Sequence, residues 1–533
     1  MTHQTGGAAL VAALEAHGVD TVFGIPGTHN LGAYAALADS KIRTVLTRHE
    51  QGAGYAADGY ARLTGRPGVV LTTTGPAILN ATAAAAQAWS DSVPVLFISP
   101  GLPLHHPGRG NGYLHEVKNQ QAALDSVVAY SHRVTSVAEI PRAVAYAFAV
   151  MGTGRPRPVH LEIPLELLDE VADVSVVVPI EAARPAAPAA AVDTAAELLD
   201  RADAPALIVG GGARGAVSQV RSLAERLSAP VLTTINGKGV LDEEHPLSVG
   251  AGMHHAAARA LIAECDVLLA IGTELAPSDL GDVPISADEK LIRIDIDATS
   301  MTTNADPAIR LIGDTATVAR QLLDALGPSS LPFTTDRASA GHRALHAQAE
   351  VDGKPWLDMV NALAPAVDDR TVIAGDSAMA CYLGALTNLH VHRPAGFLYP
   401  TGQGTLGYGL PAAIGACLAE PDARVIALMG DGGVMFTLPE LATAARLGLA
   451  LPIVVVDNGG YGEIRNEMDD RGDAVHAVAL GAVDFPAIAR AMGCNGYVVN
   501  DPAELTAAVE QAFAADRPTL LHIFEDSRAT QKS

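Results

Sequence analysis

The sequence predicts an α/β protein of three consecutive domains, each a mainly parallel sheet flanked by helices. Three observations predict it. At 533 residues the chain is far too long for one core. Short β-branched apolar runs alternate throughout with Ala-rich segments of helical pattern, as βα units on parallel sheets require. Two breaker-rich stretches interrupt that alternation, Arg184-Pro185-Ala186-Ala187-Pro188-Ala189-Ala190 and Gly327-Pro328-Ser329-Ser330-Leu331-Pro332. They divide the chain into 1–182, 192–326 and 337–533.

In the first block the expected strands include Thr21-Val22-Phe23 and Val69-Val70-Leu71. In the second, Ala206-Leu207-Ile208-Val209 leads into Gly210-Gly211-Gly212-Ala213-Arg214-Gly215, which satisfies the dinucleotide pattern G-x-G-x-x-G. The acid that should close the next strand is missing, because Pro230-Val231-Leu232-Thr233-Thr234-Ile235 runs into Asn236. A tight strand-to-helix turn is therefore expected there rather than an NAD site. In the last block Val425-Ile426-Ala427-Leu428-Met429 and Ile453-Val454-Val455-Val456 read as buried strands.

Composition excludes several function classes. A net charge of −24 argues against a nucleic-acid partner. Cys265, Cys381, Cys417 and Cys494 are scattered without metal-ligand spacing and read as small buried hydrophobes in a reducing compartment. No signal peptide is visible and no apolar run approaches 18 residues, so a soluble cytoplasmic protein without a membrane span is expected.

The chemistry concentrates in two distant segments. Gly430-Asp431-Gly432 ends one strand, and Val456-Asp457-Asn458-Gly459-Gly460 ends the next. A carboxylate and an amide oxygen thus reach the same end of a parallel sheet, a donor set suited to Mg²⁺ carrying phosphate oxygens. Far upstream, Arg48-His49-Glu50-Gln51-Gly52-Ala53-Gly54-Tyr55-Ala56-Ala57-Asp58-Gly59-Tyr60-Ala61-Arg62 places Glu50 at a strand end. There it is either a carboxylate satisfied by a helix N-terminus or a functional acid. A third segment is the turn Thr72-Thr73-Thr74-Gly75-Pro76-Ala77-Ile78-Leu79-Asn80.

Together these segments resemble the thiamine-diphosphate (ThDP) enzymes of the acetolactate synthase, benzoylformate decarboxylase and pyruvate decarboxylase family, over nearly the whole chain. The resemblance implies a ThDP-binding fold at both ends, pyrimidine-binding first and diphosphate/Mg-binding last, around a Rossmann-like central domain. It implies Glu50 as the acid at the aminopyrimidine N1′, where burial that raises its pKa would help. Leu406 would hold the cofactor bent and the Gly404 carbonyl would accept from its amino group. Asp431, Asn458 and the Gly460 carbonyl are the implied Mg²⁺ ligands; Gly432, Gly433 and Ser377 face the diphosphate, with Thr73 and Asn80 also at the cofactor. Asp457 departs from the family's Asn-Asn and adds a negative charge that either weakens diphosphate affinity or demands a compensating partner. Some relatives hold FAD centrally; it is possible here but not expected. A homodimer or dimer of dimers with interfacial sites is implied.

The implied reaction is decarboxylation of a 2-oxo acid through an enamine, with acetolactate-type carboligation to a second carbonyl as the alternative and a non-catalytic ThDP-binding paralogue further behind. Leu104-His105-His106-Pro107-Gly108 and Tyr113-Leu114-His115-Glu116 offer His105, His106, His115 and Glu116 near the substrate. His115 suits proton relay, while a solvated loop histidine is the structural alternative. Thr273-Glu274-Leu275-Ala276-Pro277 lacks the arginine-rich run of acetolactate synthases, and Tyr461-Gly462-Glu463-Ile464-Arg465-Asn466-Glu467 lacks their tryptophan. Glu463 and Glu467 are four apart and share a helix face. Either solvent or Arg465's neighbourhood offsets their repulsion, or they read a cationic tail such as a guanidinium.

Overall fold

The computed structural model describes residues 2–108, 110–175, 177–180, 183–281, 285, 290–328 and 332–525. Arg109, residues 181–182 of the first block, 329–331 of the second breaker stretch and 526–533 lie outside the described residues. In the first breaker stretch the last two alanines already belong to helix Ala189–Asp200, because Pro188 suits the position just before a helix.

Three six-stranded sheets form among the described residues, each parallel throughout, beside a two-stranded antiparallel pair, Thr2–Thr5 with Val171–Val174. The first sheet runs in the order Arg43–Leu46, Thr21–Gly24, Gly68–Leu71, Val95–Gly101, Val159–Pro164, Tyr130–Arg133. Counted along the chain that is 2-1-3-4-6-5. The last sheet runs Phe397–Leu398, Thr371–Gly375, Arg424–Gly430, Pro452–Asp457, Thr519–Phe524, Asn495–Val499, which is again 2-1-3-4-6-5. The central sheet has the different order 3-2-1-4-5-6, the doubly wound Rossmann arrangement. Helices cover both faces of such sheets, so their strands carry continuous apolar runs instead of alternating ones. Val425 to Met429 and Ile453 to Val456 are accordingly buried at every position, each of these side chains except Ala427 contributing about 1.5–3 kcal/mol of burial.

The chain divides into two compact units. One comprises Met1–Ala183 together with Gly402–Pro421 and Thr437–Leu449; the other comprises Arg184–Thr401, Asp422–Phe436 and Ala450–Ser533. The four cysteines are free, three of them buried, and burial raises the thiol pKa of Cys417 to about 12 and of Cys494 to about 11. No described helix is long and apolar enough to cross a membrane.

The glycine run after strand Pro205–Val209 is explained by packing. A side chain on Gly210 would meet the Gly272 carbonyl oxygen at 2.3 Å, so two strand ends approach backbone to backbone there. Arg214 closes the turn by donating from Nε to the Asn236 carbonyl at 3.1 Å.

Candidate active site

In the first unit Glu50 is the first residue of helix Glu50–Thr64, directly after the edge strand Arg43–Leu46. It is half-buried, and the Asn80 amide donates to its Oε2 at 3.0 Å. Glu440, which sequence reading passed over, fixes the corner that presents it. This buried carboxylate accepts from the backbone N–H groups of Arg48 at 2.9 Å and His49 at 3.0 Å, and from the Thr443 hydroxyl at 2.6 Å. It fills the space a side chain on Gly52 would need. Burial raises its pKa. With a chain separation of 392 residues between Arg48 and Glu440, no local pattern could have revealed the pairing.

Around strands one and three of the same sheet, unpaired polar atoms collect. His115 takes a left-handed φ of 63°, uncommon for a residue with a side chain. Its ring centroid lies 5.0 Å from that of His29, and the Nδ1 atoms of both are buried without a hydrogen-bond partner among the described residues. Burial, then the charge of His115, lowers the His29 pKa. The hydroxyls of Thr73 and Thr74 are likewise buried and unpaired. Each such group costs about 1–3 kcal/mol unless something satisfies it. His29 was also missed, although Gly27-Thr28-His29 follows the first strand at the same sheet end as the Thr73 turn.

Other histidines of this unit are employed within the protein. His106 Nε2 pairs with Asn111 Oδ1 at 3.0 Å and lies 3.6 Å from Glu116, whose Oε2 accepts from Gly112 N at 3.0 Å. His106 and Glu116 thus organise their own loop, and His105 is exposed. Beneath the Thr73 turn runs a buried rail. Gly75 N donates to Gln120 Oε1 at 2.8 Å, Gln120 donates to Ser99 at 3.1 Å, and His160 bridges Ser99 (2.9 Å) and Ser131 (2.8 Å). Burial pushes the His160 pKa down to about 3.

Gly404 and Leu406 belong to the same unit, Gly404 with φ 56° and Leu406 half-buried. Their segment is anchored at both ends. Gly402 N donates to Asp91 at 2.9 Å, Thr405 to Gln87 at 3.2 Å, Tyr408 to Asp58 at 2.6 Å, and Thr437 to the Gly407 carbonyl at 2.7 Å. The buried Arg62 ties Asp58 to Asp91 at 2.6 and 2.8 Å.

In the second unit the candidate metal ligands stand at the ends of strands three and four of the last sheet. Asp431 opens the short helix Asp431–Val434 after strand Arg424–Gly430, and Asn458 follows strand Pro452–Asp457. Asn458 N approaches Asp431 Oδ1 at 3.5 Å. Burial, then the charge of Asp457, raises the Asp431 pKa to about 6. Asp457 behaves oppositely. Burial alone would raise its pKa, but the His522 ring, 2.8 Å from Oδ2, and the N–H of Gly459 hold it below the usual range. His522 is the partner that the departure at Asp457 demands.

The residues fit a hydrated divalent cation carrying diphosphate. Asn458 Oδ1 is buried with no hydrogen-bond partner among the described residues, and Asp431 is an under-neutralised carboxylate next to it. A side chain on Gly432 would strike the Tyr461 ring at 3.0 Å, keeping the turn bare. Gly433 is buried, and Ser377 sits half-buried beyond strand Thr371–Gly375, its N–H on Asp376 at 3.0 Å. Ligands in open parallel sheets bind at the carboxyl ends of strands flanking the switch in strand order. Ser377 and Asp431 flank it here.

Helix Gly462–Asp470 carries Glu463 and Glu467, both exposed. Tyr382 donates its hydroxyl to Glu463 from the π-helical turn Ala380–Ala385, a winding frequent at functional sites. Partial desolvation of its carboxylate, then the charge of Glu467, raises the Glu463 pKa. Arg465 turns toward the Asn458 carbonyl, at 3.3 Å.

An acid at a helix start on one parallel sheet, with a carboxylate–amide pair on its topological twin, defines the thiamine-diphosphate class of enzyme. Comparison with known proteins agrees. The N-terminal TPP-binding, central and C-terminal TPP-binding domain models of thiamine pyrophosphate enzymes match residues 4–124, 192–322 and 374–523. The chain belongs to the thiamine pyrophosphate enzyme family. A probable 2-ketoarginine decarboxylase of Pseudomonas aeruginosa is 40% identical, covering 97% of this chain and 94% of the relative. A probable acetolactate synthase large subunit of Methanocaldococcus jannaschii is 32% identical (98% and 92% covered), and the acetolactate synthase isozyme 1 large subunit of Escherichia coli 31% (98% and 94%).

Proposed function

We propose that the chain decarboxylates a 2-oxo acid with a cationic, guanidinium-type tail. The observation that carries this reading is the pair Glu463 and Glu467. They stand exposed on one helix face, and Arg465, the one cation between them in sequence, donates elsewhere. Carboxylates left this way, with Tyr382 orienting one of them, match the fork of a planar cation. The 2-ketoarginine decarboxylase relative supports the same substrate class.

Bound ThDP supplies the electron sink that lets CO₂ leave a 2-oxo acid. Asp431, Asn458 and the Gly460 carbonyl would hold Mg²⁺, while Gly432, Gly433 and Ser377 face the diphosphate. Glu50 would meet the pyrimidine ring, oriented by Asn80 and by the corner that Glu440 braces. Thr73 lines the same end; Leu406 would support the cofactor and the Gly404 carbonyl would accept from its amino group. His115, with His29, is placed to move a proton at the substrate end. Met435 and Phe436, exposed directly after the diphosphate turn, favour a homodimer or dimer of dimers. Division into 1–182, 192–326 and 337–533, a cytoplasmic location and operation without FAD complete the reading.

The second reading is acetolactate-type carboligation, favoured by the acetolactate synthase relatives. NMR analysis of products from pyruvate, benzoylformate and 5-guanidino-2-oxopentanoate, with a Glu50→Gln control, separates the two. A free aldehyde from the guanidino acid, absent in the control, is expected. Acyloin as the main product replaces the first reading by the second.

A further inference from the structure

Away from the candidate active site, helix Asp336–Asp352 presents His342 and His346 one turn apart, and His390 follows the short helix Leu386–Asn388. One nitrogen from each of the three rings lies within 4.8 Å of the others. The ring centroids of His342 and His346 are 4.2 Å apart, and those of His346 and His390 are 5.4 Å apart. The three residues are half-buried, and none of the rings has a hydrogen-bond partner among the described residues. Clustered imidazoles with idle nitrogens call for either a shared proton or a shared cation.

The surroundings hold the third ring against the helix. The Asn388 amide, two residues before His390, donates to the carbonyls of Ala349 at 3.2 Å and Gly384 at 3.0 Å. On the other side, Val391 N donates to Glu243 Oε2 at 2.8 Å, and Glu243 is paired with the buried Lys238. His390 is thus fixed at both flanks by bonds that do not involve its ring. The neighbouring Lys238–Glu243 pair is neutral overall and leaves a cation tolerable.

We propose that His342, His346 and His390 form a binding site for a borderline divalent transition-metal ion, Zn²⁺ or its spectroscopic substitute Co²⁺. Imidazole ligation suits these ions, and Mg²⁺, an oxygen-seeking cation, is a poor competitor. In tetrahedral geometry with metal–nitrogen bonds of about 2.0–2.1 Å, ligand nitrogens stand roughly 3.4 Å apart. Small side-chain rotations of the helical pair and of His390 close that gap, leaving the fourth position to water. Bound metal would clamp helix Asp336–Asp352 to the segment carrying His390. The sequence signal is the spacing His342-x-x-x-His346, two ligands on one helix face.

The test is titration of the full-length enzyme with Co²⁺ in excess Mg²⁺ and ThDP, followed by visible absorption. One equivalent per chain, with the intense bands of a low-coordinate cobalt site that Zn²⁺ displaces, is expected. His342→Gln, His346→Gln and His390→Gln should each weaken Co²⁺ binding at least tenfold, while Asp431→Ala leaves the cobalt signal intact. Metal-free melting curves of the variants should overlay that of the parent. Zn²⁺ should raise the parent's melting temperature alone. His390→Gln lies outside the long helix, so it keeps the test informative should a helix variant misfold. Stoichiometric binding unchanged in His390→Gln and His342→Gln, or no binding by the parent, overturns the proposal.

Discussion

The first and last sheets share a strand order but not a chemistry. In the first, the strand ends at the switch offer hydroxyls and imidazoles, Thr73, Thr74 and His29, with His115 beside them. In the last, the matching ends offer Ser377 and the carboxylate of Asp431, with the amide of Asn458 at the end of the next strand. Topology decides where a ligand can lie; the few residues after each strand decide which part of it is recognised. The last sheet suits a cation and phosphates. The first instead leaves hydroxyls and imidazoles unpaired at its strand ends, and an extra buried acid, Glu440, braces the helix that starts at Glu50.

The largest test of this division is Asp431→Ala. It should lower kcat/KM by about 10³-fold or more, since it removes several kcal/mol of metal-borne charge stabilisation. Mg²⁺-dependent ThDP binding, read by calorimetry, should vanish with it. Glu50→Gln should instead cut kcat by about 10²–10⁴-fold while Mg²⁺ and ThDP still bind. Loss of cofactor binding in that variant would break the comparison, because the acid would then be holding diphosphate chemistry too. Glu463→Gln should raise KM for 5-guanidino-2-oxopentanoate roughly tenfold to a hundredfold and spare pyruvate, as loss of a charge-assisted hydrogen bond worth about 1.5–3 kcal/mol requires. Equal effects on both acids would remove the cationic-tail reading.

The smallest effect concerns pH. His160, in the first sheet, has a folded pKa of about 3 because burial opposes its charge. The unfolded chain, near 6.5, binds the extra proton first, so stability is full above about pH 6.5 and declines as pH falls toward 3. At pH 5 this one group costs about 2 kcal/mol relative to neutrality. His160→Gln should flatten that part of the slope in urea denaturation monitored at pH 7 and 5. An unchanged slope would mean that other groups dominate acid sensitivity.

Much of the architecture was legible because buried parallel strands leave continuous apolar runs. The positions of Asp431, Asn458 and Glu50 after strands were legible because each follows an apolar run closed by a glycine turn or a helix start. Glu440 and His522 were not legible. Their partners, Arg48 and Asp457, lie 392 and 65 residues away, and long-range pairing leaves no local pattern. His29 escaped notice for a different reason: a single histidine after a strand acquires meaning only from the ring packed beside it. The glycine run at Gly210 matches a nucleotide pattern, but the missing acid after the next strand marked it as a turn, and close backbone packing is what it serves. The three-histidine cluster was half legible, since its spacing shows two members and only the fold brings His390.

The π-helical turn Ala380–Ala385 has an evolutionary implication. Such a turn holds one residue more than an α-helical turn needs, as if a single codon had been inserted. Removing one residue just before Tyr382 would restore ordinary winding and swing the phenol about 100° around the axis, away from Glu463. An indel of three nucleotides in such a lineage can therefore uncouple Tyr382 from Glu463 without substituting either residue.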